Sequence, residues 1–193
     1  MNKQNLRDSL ERHSKWSIKK YWEDDQQTPF EVVEWEGNLG LTVGIAEAWD
    51  LICTTGTPVA YSNAKARLGV GDSATAASST QTGLQAPTNK LYKGMLAGYP
   101  TTTDKSAVFK SSFAAAEANF AWKEMVVDNS LTVAGVKPLV RKVSAQGTKT
   151  SGLIGPIIWR QMMQTLNIGG HPEVGNAEAW LMSGRNDYQG AAL

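Results

Sequence analysis

The chain has 193 residues, of which 41% are hydrophobic, enough for the buried core of one domain with an appendage or of two small domains. Its 19 basic and 18 acidic side chains give a net charge of +1, which argues against a dedicated nucleic-acid binder, because that class usually carries a basic excess. The single cysteine, Cys53, excludes an intrachain disulfide, and the apolar run around it predicts a buried thiol.

The first 14 residues predict an N-terminal arm. They are polar apart from a weak helical stripe that contains Leu6 and Leu10, which indicates either a frayed terminus or an arm that docks on a neighbouring subunit. They lack the apolar segment of a signal peptide, and no run in the sequence approaches the roughly 20 apolar residues of a membrane span. We therefore expect the chain to be made in a cytoplasm.

Residues 15–36 predict a β-hairpin. Apolar and polar residues alternate around Trp16 and Trp22 and again around Trp35, and the polar stretch between the two runs is typical of a turn. Trp16, Trp22 and Trp35 also form a candidate exposed aromatic patch. Beside the acidic turn residues, such a patch would suit a sugar or a host receptor.

One helix is predicted over residues 39–53, with Asn38 as its N-cap. Its apolar stripe consists of Leu41, Ile45, Ala48, Trp49 and Ile52. The polar residues Glu47 and Asp50 fall outside this stripe. The pattern therefore predicts that the stripe packs on the core and that Glu47 and Asp50 face solvent.

Short β-strands are predicted along most of the chain between residues 64 and 143. They cover residues 64–70, 90–96, 107–113, 118–127 and 139–143. With the hairpin they make about seven strands separated by turn signals, which favours a mainly β fold, an antiparallel β-sandwich or jelly roll. The long segment over residues 72–89 is predicted to be an Ω-like or interaction loop anchored by Leu84.

No set of residues in the sequence has the spacing of a catalytic or metal-binding site. His13 and His171 have no companion ligands nearby, so neither a metal nor another cofactor is expected. Glu117 and Glu124 have opposite parity, so a single strand would point them to opposite faces. An enzyme, the third hypothesis, would need a cleft that joins these two carboxylates with Glu34.

Residues 153–193 predict a partly helical C-terminal extension. Pro156, followed by apolar residues at helical spacing, predicts a helix over residues 156–166. The remainder is either a loosely ordered tail or a segment that wraps a neighbour. The chain thus divides into an arm (1–14), a β-sandwich domain (15–152) and this extension (153–193). The candidate residues of an assembly interface are Leu6, Leu10, Leu84, Trp159, Met163, Trp180 and Leu181.

The chain resembles small virion proteins of tailed bacteriophages in three stretches that occur in the same order. These are LGVGDSATAASSTQTGLQA (68–86), AAAEANFAWKEMVVDNS (114–130) and LVRKV with GTKTSG (139–152). The resemblance covers roughly residues 38–152. It implies a β-sandwich structural protein, tail-associated or head-decorating, without enzymatic activity or cofactor. The family pattern ends in a β-strand after the last stretch, where this sequence predicts a helix instead.

The leading hypothesis is therefore a virion structural protein made in the host bacterial cytoplasm. Its partners would be copies of itself and other tail, fibre-attachment or capsid proteins, with no nucleic acid, membrane or small-molecule substrate. Neutral charge, terminal arms and seven scattered tryptophans are typical of an assembly subunit. The alternatives are a carbohydrate- or host-receptor-binding β-sandwich and a head decoration protein.

Overall fold

In a computed structural model of the chain, the described residues form two antiparallel five-stranded sheets and one helix. The structure describes residues 12–22, 24–103, 106–129, 137–151 and 153–163. In chain order the elements are β1 Arg12–Trp22, β2 Glu31–Glu36, β3 Leu39–Gly40, α1 Thr42–Cys53, β4 Arg67–Gly71, β5 Lys90–Gly94, β6 Thr101–Thr103, β7 Ser106–Phe113, β8 Glu124–Asp128, β9 Val140–Val143 and β10 Leu153–Met163. The prediction of a mainly β chain with one helix is confirmed.

The first sheet has the strand order β2-β1-β10-β7-β6, and the second has the order β3-β9-β8-β4-β5. One buried hydrophobic cluster draws on both sheets, with Trp16 and Phe113 from the first and Leu68 and Met125 from the second. Burial of this apolar surface is the main favourable term in the stability of such a core. The helix of the described residues is too short to cross a membrane.

The β1–β2 hairpin follows the predicted alternation. Its register places Trp16 opposite Trp35, and the two indole rings stack with centroids 6.3 Å apart. Cross-strand aromatic pairs of this kind stabilise a hairpin and fix its register. Trp16 and Ile18 are buried in the core, as expected for one face of a half-buried strand.

The prediction of a helix over residues 156–166 is wrong for residues 156–163, and residues 164–166 lie outside the described residues. Leu153–Met163 is β10, the central strand of the first sheet, and it pairs with β1 on one side and β7 on the other. Pro156 pairs with Ser112 of β7, whereas the ladder with β1 omits it, which suits a residue without a backbone N–H. The segment is a strand despite the helical spacing of its apolar residues, because it pairs with a neighbouring strand on each side. The proposed extension (153–193) therefore begins inside the sheet.

Helix α1 begins three residues later than predicted. Asn38 is not its N-cap, because Leu39–Gly40 is a short strand and Leu41 caps the helix without a side-chain hydrogen bond. The predicted orientation is also wrong in part: Glu47 is only 2% exposed, while Ile52 is 64% exposed. Cys53, predicted to be buried, is exposed.

Gly44 explains the orientation of α1. It is buried against the chain at residues 138–139, so close that a Cβ atom at this position would lie 2.3 Å from the Pro138 carbonyl oxygen. The glycine side of the helix therefore faces the protein. Glu47, one turn further along, is carried to the same side and is buried with it.

The loop over residues 72–89 covers the outer face of the second sheet. A Cβ at Gly69 would lie 2.8 Å from Val126 and 3.0 Å from Leu84, and one at Gly71 would lie 2.5 Å from the Glu124 carboxylate. These two glycines belong to β4, Arg67–Gly71. They make room for the loop, and β8 is consequently buried on both faces.

Candidate functional site

A pocket of about 250 Å³ opens beside the end of the β1–β2 hairpin. The side chains of Ile18 and Trp122 are its buried floor, and both belong to the hydrophobic core. Trp22 and Phe30 line one side, and residues 146–149 of the loop after β9 line the other. The pocket is thus a concave feature where aromatic and polar side chains meet.

The aromatic side of the pocket is a stacked pair that solvent reaches. The rings of Trp22 and Phe30 lie 4.5 Å apart with an interplanar angle of 20°. Trp22 is 53% exposed and Phe30 is 44% exposed. Large aromatic side chains at the mouth of a pocket offer contact area at a low cost in side-chain entropy.

The charged residues at the pocket are already paired. Lys20 Nζ donates to Glu31 Oε2 at 2.8 Å and contacts the Gln146 carbonyl oxygen at 3.4 Å. Lys149 Nζ donates to the Ala115 carbonyl oxygen at 3.0 Å and to Asn119 Oδ1 at 2.9 Å. The pocket therefore combines an aromatic side with a polar rim in which Lys20 and Glu31 form an ion pair and the buried Lys149 ammonium donates to neutral acceptors.

A second polar cluster lies under the loop over residues 72–89. Arg141 and Glu124 form a fully buried ion pair, with Arg141 Nη2 2.7 Å from Glu124 Oε2. The backbone N–H groups of Gln85 and Ala86 donate to the same carboxylate at 2.9 and 2.7 Å. Arg141 also donates to the Thr75 carbonyl oxygen at 2.9 Å. Through these hydrogen bonds the ion pair fixes both ends of the loop on the second sheet.

Glu47 is the centre of a third buried cluster. Its carboxylate accepts hydrogen bonds from the Val59 N–H at 2.6 Å, from Asn129 Nδ2 at 3.1 Å and from Lys137 Nζ at 2.7 Å. Burial raises the pKa of Glu47, but these three hydrogen bonds outweigh it and hold the pKa below its usual value of 4.5. The nearby Tyr61 hydroxyl is buried and close to two carboxylates, which raises its pKa.

Glu47→Gln should lower the free energy of unfolding at pH 7 by about 2 kcal/mol, because a buried charge-assisted hydrogen bond is lost. The folded-state pKa of Glu47 is lower than its unfolded value, so its contribution is complete above pH 4.5 and disappears as the pH falls through the lowered pKa. The difference between variant and parent should therefore shrink in acid. Urea unfolding at several pH values, with Glu36→Gln as an exposed control, tests this. An equal cost at all pH values would contradict it.

The carboxylates that an enzyme would need are not brought together. Glu34 pairs with Lys15 at 2.6 Å, Glu124 pairs with Arg141, and Glu117 pairs with Lys93. The hydrogen bond from Lys93 is the main cause that lowers the pKa of Glu117, against burial, which raises it. Among the residues that the structure describes, no three His, Cys, Asp or Glu side chains lie together as metal ligands would.

The predicted aromatic patch is only partly correct. Trp16 is fully buried, so its prediction as an exposed residue is wrong; Trp35 is half-buried, and Trp22 is exposed. Phe30, Lys20 and the loop at 146–149 were not predicted at this site. The alternation in the hairpin placed Lys20 beside Trp22, but nothing local indicates that residues 146–149 approach them.

The candidate assembly residues have different outcomes. Leu84 is buried within its own chain, and its backbone N–H donates to the Tyr92 hydroxyl at 3.0 Å. Trp159 and Met163 lie in β10, opposite Trp16 and Arg12 of β1. Leu6, Leu10, Trp180 and Leu181 lie outside the described residues, so their role stays a prediction.

Comparison of the chain with family models, with curated proteins and with solved structures gives no match.

Proposed function

We propose that this chain is a non-enzymatic structural protein of a tailed-bacteriophage virion, built as a β-sandwich and assembling with copies of itself and other tail, fibre-attachment or capsid proteins. The sequence resemblance supports this assignment, and so does β10, because the family pattern has a strand after the stretch that ends at Gly152. The hydrophobic cluster shared by the two sheets supports the sandwich.

One observation carries the assembly role. Within the described ranges, the exposed large hydrophobic side chains are Trp22, Phe30, Val32 and Ile52, and the first three belong to the β1–β2 hairpin. This hairpin lies at one edge of the first sheet. Its strand β2 is an edge strand, because β1 is the only described strand that pairs with it. An edge strand beside exposed apolar groups is a natural surface for strand addition by another subunit.

The direction of the free hydrogen-bonding groups follows from the hairpin ladder. Gly37 N–H donates to the Ser14 carbonyl oxygen at 3.0 Å. Because hydrogen-bonded and non-hydrogen-bonded pairs alternate in an antiparallel ladder, Val33 and Trp35 direct their backbone groups toward β1. The N–H of Glu34 consequently points away from β1, toward an added strand.

Glu34→Pro should therefore reduce the oligomer to smaller species and leave the subunit folded, since the lost N–H is not used within the hairpin. The molar mass of the purified protein, measured by light scattering, reports the change. Glu34→Ala is the matched control, because it removes the same exposed ion pair to Lys15 but keeps the N–H. A monomeric parent protein, or an unchanged oligomer of Glu34→Pro, would contradict assembly through β2.

The virion assignment has its own test, because assembly through β2 and residence in a phage particle are separate claims. Phage particles purified from the bacterial culture that produces the chain should contain it in many copies by mass spectrometry. Its absence from purified particles would reject the virion role and leave the assembly surface to be judged by light scattering.

A further inference from the structure

We propose that the pocket between the hairpin and residues 146–149 is a binding site for a neutral sugar ring of the pyranose class, with Trp22 as the stacking platform and the Lys20–Glu31 pair as the hydrogen-bonding rim. This ligand is bound and not transformed. Sugar binding does not require assembly through β2, because strand addition uses backbone groups at the edge of β2, whereas the ligand contacts the side chains of Trp22, Lys20 and Glu31.

The size of the pocket favours a single ring. Pockets that hold drug-sized ligands measure about 300–1,000 Å³, whereas this one measures about 250 Å³. Its floor consists of Ile18 and Trp122, which fix the depth because both are buried core residues. A ligand larger than one ring would have to extend over the mouth of the pocket into solvent.

The aromatic side favours a ring with an apolar face. One side of Trp22 stacks on Phe30, and the indole nevertheless remains 53% exposed, so much of its surface is available to a ligand. A pyranose presents a flat patch of C–H groups on its ring, and this patch loses contact with water when it packs on an aromatic side chain. The stacked partner Phe30 holds the indole in place, which lowers the entropic cost of binding.

The rim favours a ligand that is polar but uncharged. Lys20 and Glu31 neutralise each other at 2.8 Å, and Lys149 is engaged with Ala115 and Asn119. A charged ligand would have to compete with one member of the Lys20–Glu31 pair for the other. A purely apolar ligand would cover this ion pair and remove it from water without compensation, which costs free energy.

Sugar hydroxyl groups match the rim because each of them both donates and accepts hydrogen bonds. Lys20 is a donor, the Glu31 carboxylate is an acceptor, and the exposed Thr148 hydroxyl on the opposite side is both. A ring with hydroxyl groups around its edge can therefore reach both sides of the pocket at once. A flat nucleobase has its polar groups in fewer directions, all in the plane of its ring.

The test is saturation-transfer NMR of the full chain with a panel of probes: glucose, galactose, mannose and N-acetylglucosamine, with glucuronate, glucosamine and adenosine for comparison. We expect at least one neutral pyranose to receive saturation and to bind with a millimolar Kd. Trp22→Ala should weaken this binding at least about tenfold, a difference of about 1.4 kcal/mol. Trp22→Tyr, which keeps a stacking ring with a polar tip, should retain most of it.

Ile52→Ala is the matched control, because it also removes an exposed large hydrophobic side chain but lies on α1, away from the pocket. It should bind the sugar as the parent does. Glu31→Gln provides the second arm: it leaves the Lys20 charge without its partner, so the preference should move from the neutral pyranose toward glucuronate.

The proposal is overturned if no neutral pyranose binds at concentrations up to about 50 mM, where a millimolar site would be nearly saturated. It is also overturned if Trp22→Ala binds as well as the parent, or if adenosine or a charged sugar is the preferred ligand of the unaltered protein. If Glu31→Gln changes neither the strength of binding nor the preferred ligand, Glu31 is not part of the site and this part of the proposal is overturned. None of these results alters the light-scattering test of assembly.

Discussion

Glu124→Gln should lower the free energy of unfolding by about 3–5 kcal/mol, the cost of removing one partner from a buried ion pair. The change keeps the shape of the side chain but leaves the Arg141 guanidinium buried without its counter-charge, at a place where both side chains are fully buried. It also weakens the acceptor for the N–H groups of Gln85 and Ala86. Urea unfolding monitored by tryptophan fluorescence measures the loss.

The same variant should release the loop over residues 72–89, since the ion pair contacts Thr75, Gln81, Gln85 and Ala86 of that loop. Limited proteolysis of folded Glu124→Gln is expected to cut there earlier than in the parent. Glu34→Gln, which breaks the exposed pair with Lys15, is the control and should cost no more than about 1 kcal/mol. A Glu124→Gln protein as stable as this control would show that the buried pair does not hold the loop.

The double variant Glu124→Leu, Arg141→Met replaces both partners by apolar residues. It separates the cost of an unpaired buried charge from the cost of the lost hydrogen bonds to the loop. The double variant leaves no buried charge without a partner, so it should be less destabilised than the sum of the two single variants. The two loop N–H groups would still lack an acceptor, which keeps the double variant below the parent in stability. Strict additivity of the single variants would contradict the pairing.

Gly44→Ala should lower the free energy of unfolding by at least about 3 kcal/mol, the upper part of the range for overpacking. Helix propensity alone predicts the opposite, a gain of about 1 kcal/mol for alanine over glycine. Packing decides the sign, because the new Cβ would lie 2.3 Å from the Pro138 carbonyl oxygen and 2.4 Å from Leu139 Cα. Both are backbone atoms that cannot move aside as a flexible side chain does.

Ala46→Gly is the matched control on the same helix. Ala46 is exposed, so this change should cost only the propensity difference of about 1 kcal/mol. Thermal unfolding of both variants and the parent gives the comparison. If Gly44→Ala were neutral or stabilising, α1 would not pack on residues 138–139 through its glycine.

The spacing of apolar residues in the sequence predicted the elements whose burial follows that spacing. The β1–β2 hairpin and β7 follow the alternation that predicts them, since β2 alternates in exposure and β7 buries Phe109, Ser111 and Phe113. Leu84 was also identified as the anchor of the long loop, since it is the large apolar residue in a stretch of small polar ones. Whether that anchor would bury in its own chain was not predictable from the pattern.

The same periodicity misled at β10 and α1. Apolar residues at helical spacing occur in Leu153–Met163, yet the segment is a strand, because β1 and β7 supply hydrogen bonds on both of its sides. In α1 the glycine face and Glu47 turn inward, and Ile52 turns outward. Lys137 makes this possible by pairing with Glu47 across 90 positions of the chain.

Local patterns in the sequence predict a mainly β chain, its hairpin, its helix over the described residues and Trp22 as an exposed aromatic residue, because these depend on neighbours a few positions apart. Tertiary structure decided what those elements do. Lys20 meets the carbonyl oxygen of Gln146 across 126 positions, and Arg141 reaches Thr75 across 66 positions. Contacts over such separations arise only in the folded chain, where a buried charge needs a partner wherever the fold supplies one. The pocket and the buried ion pair therefore belong to the folded chain and to no single stretch of it.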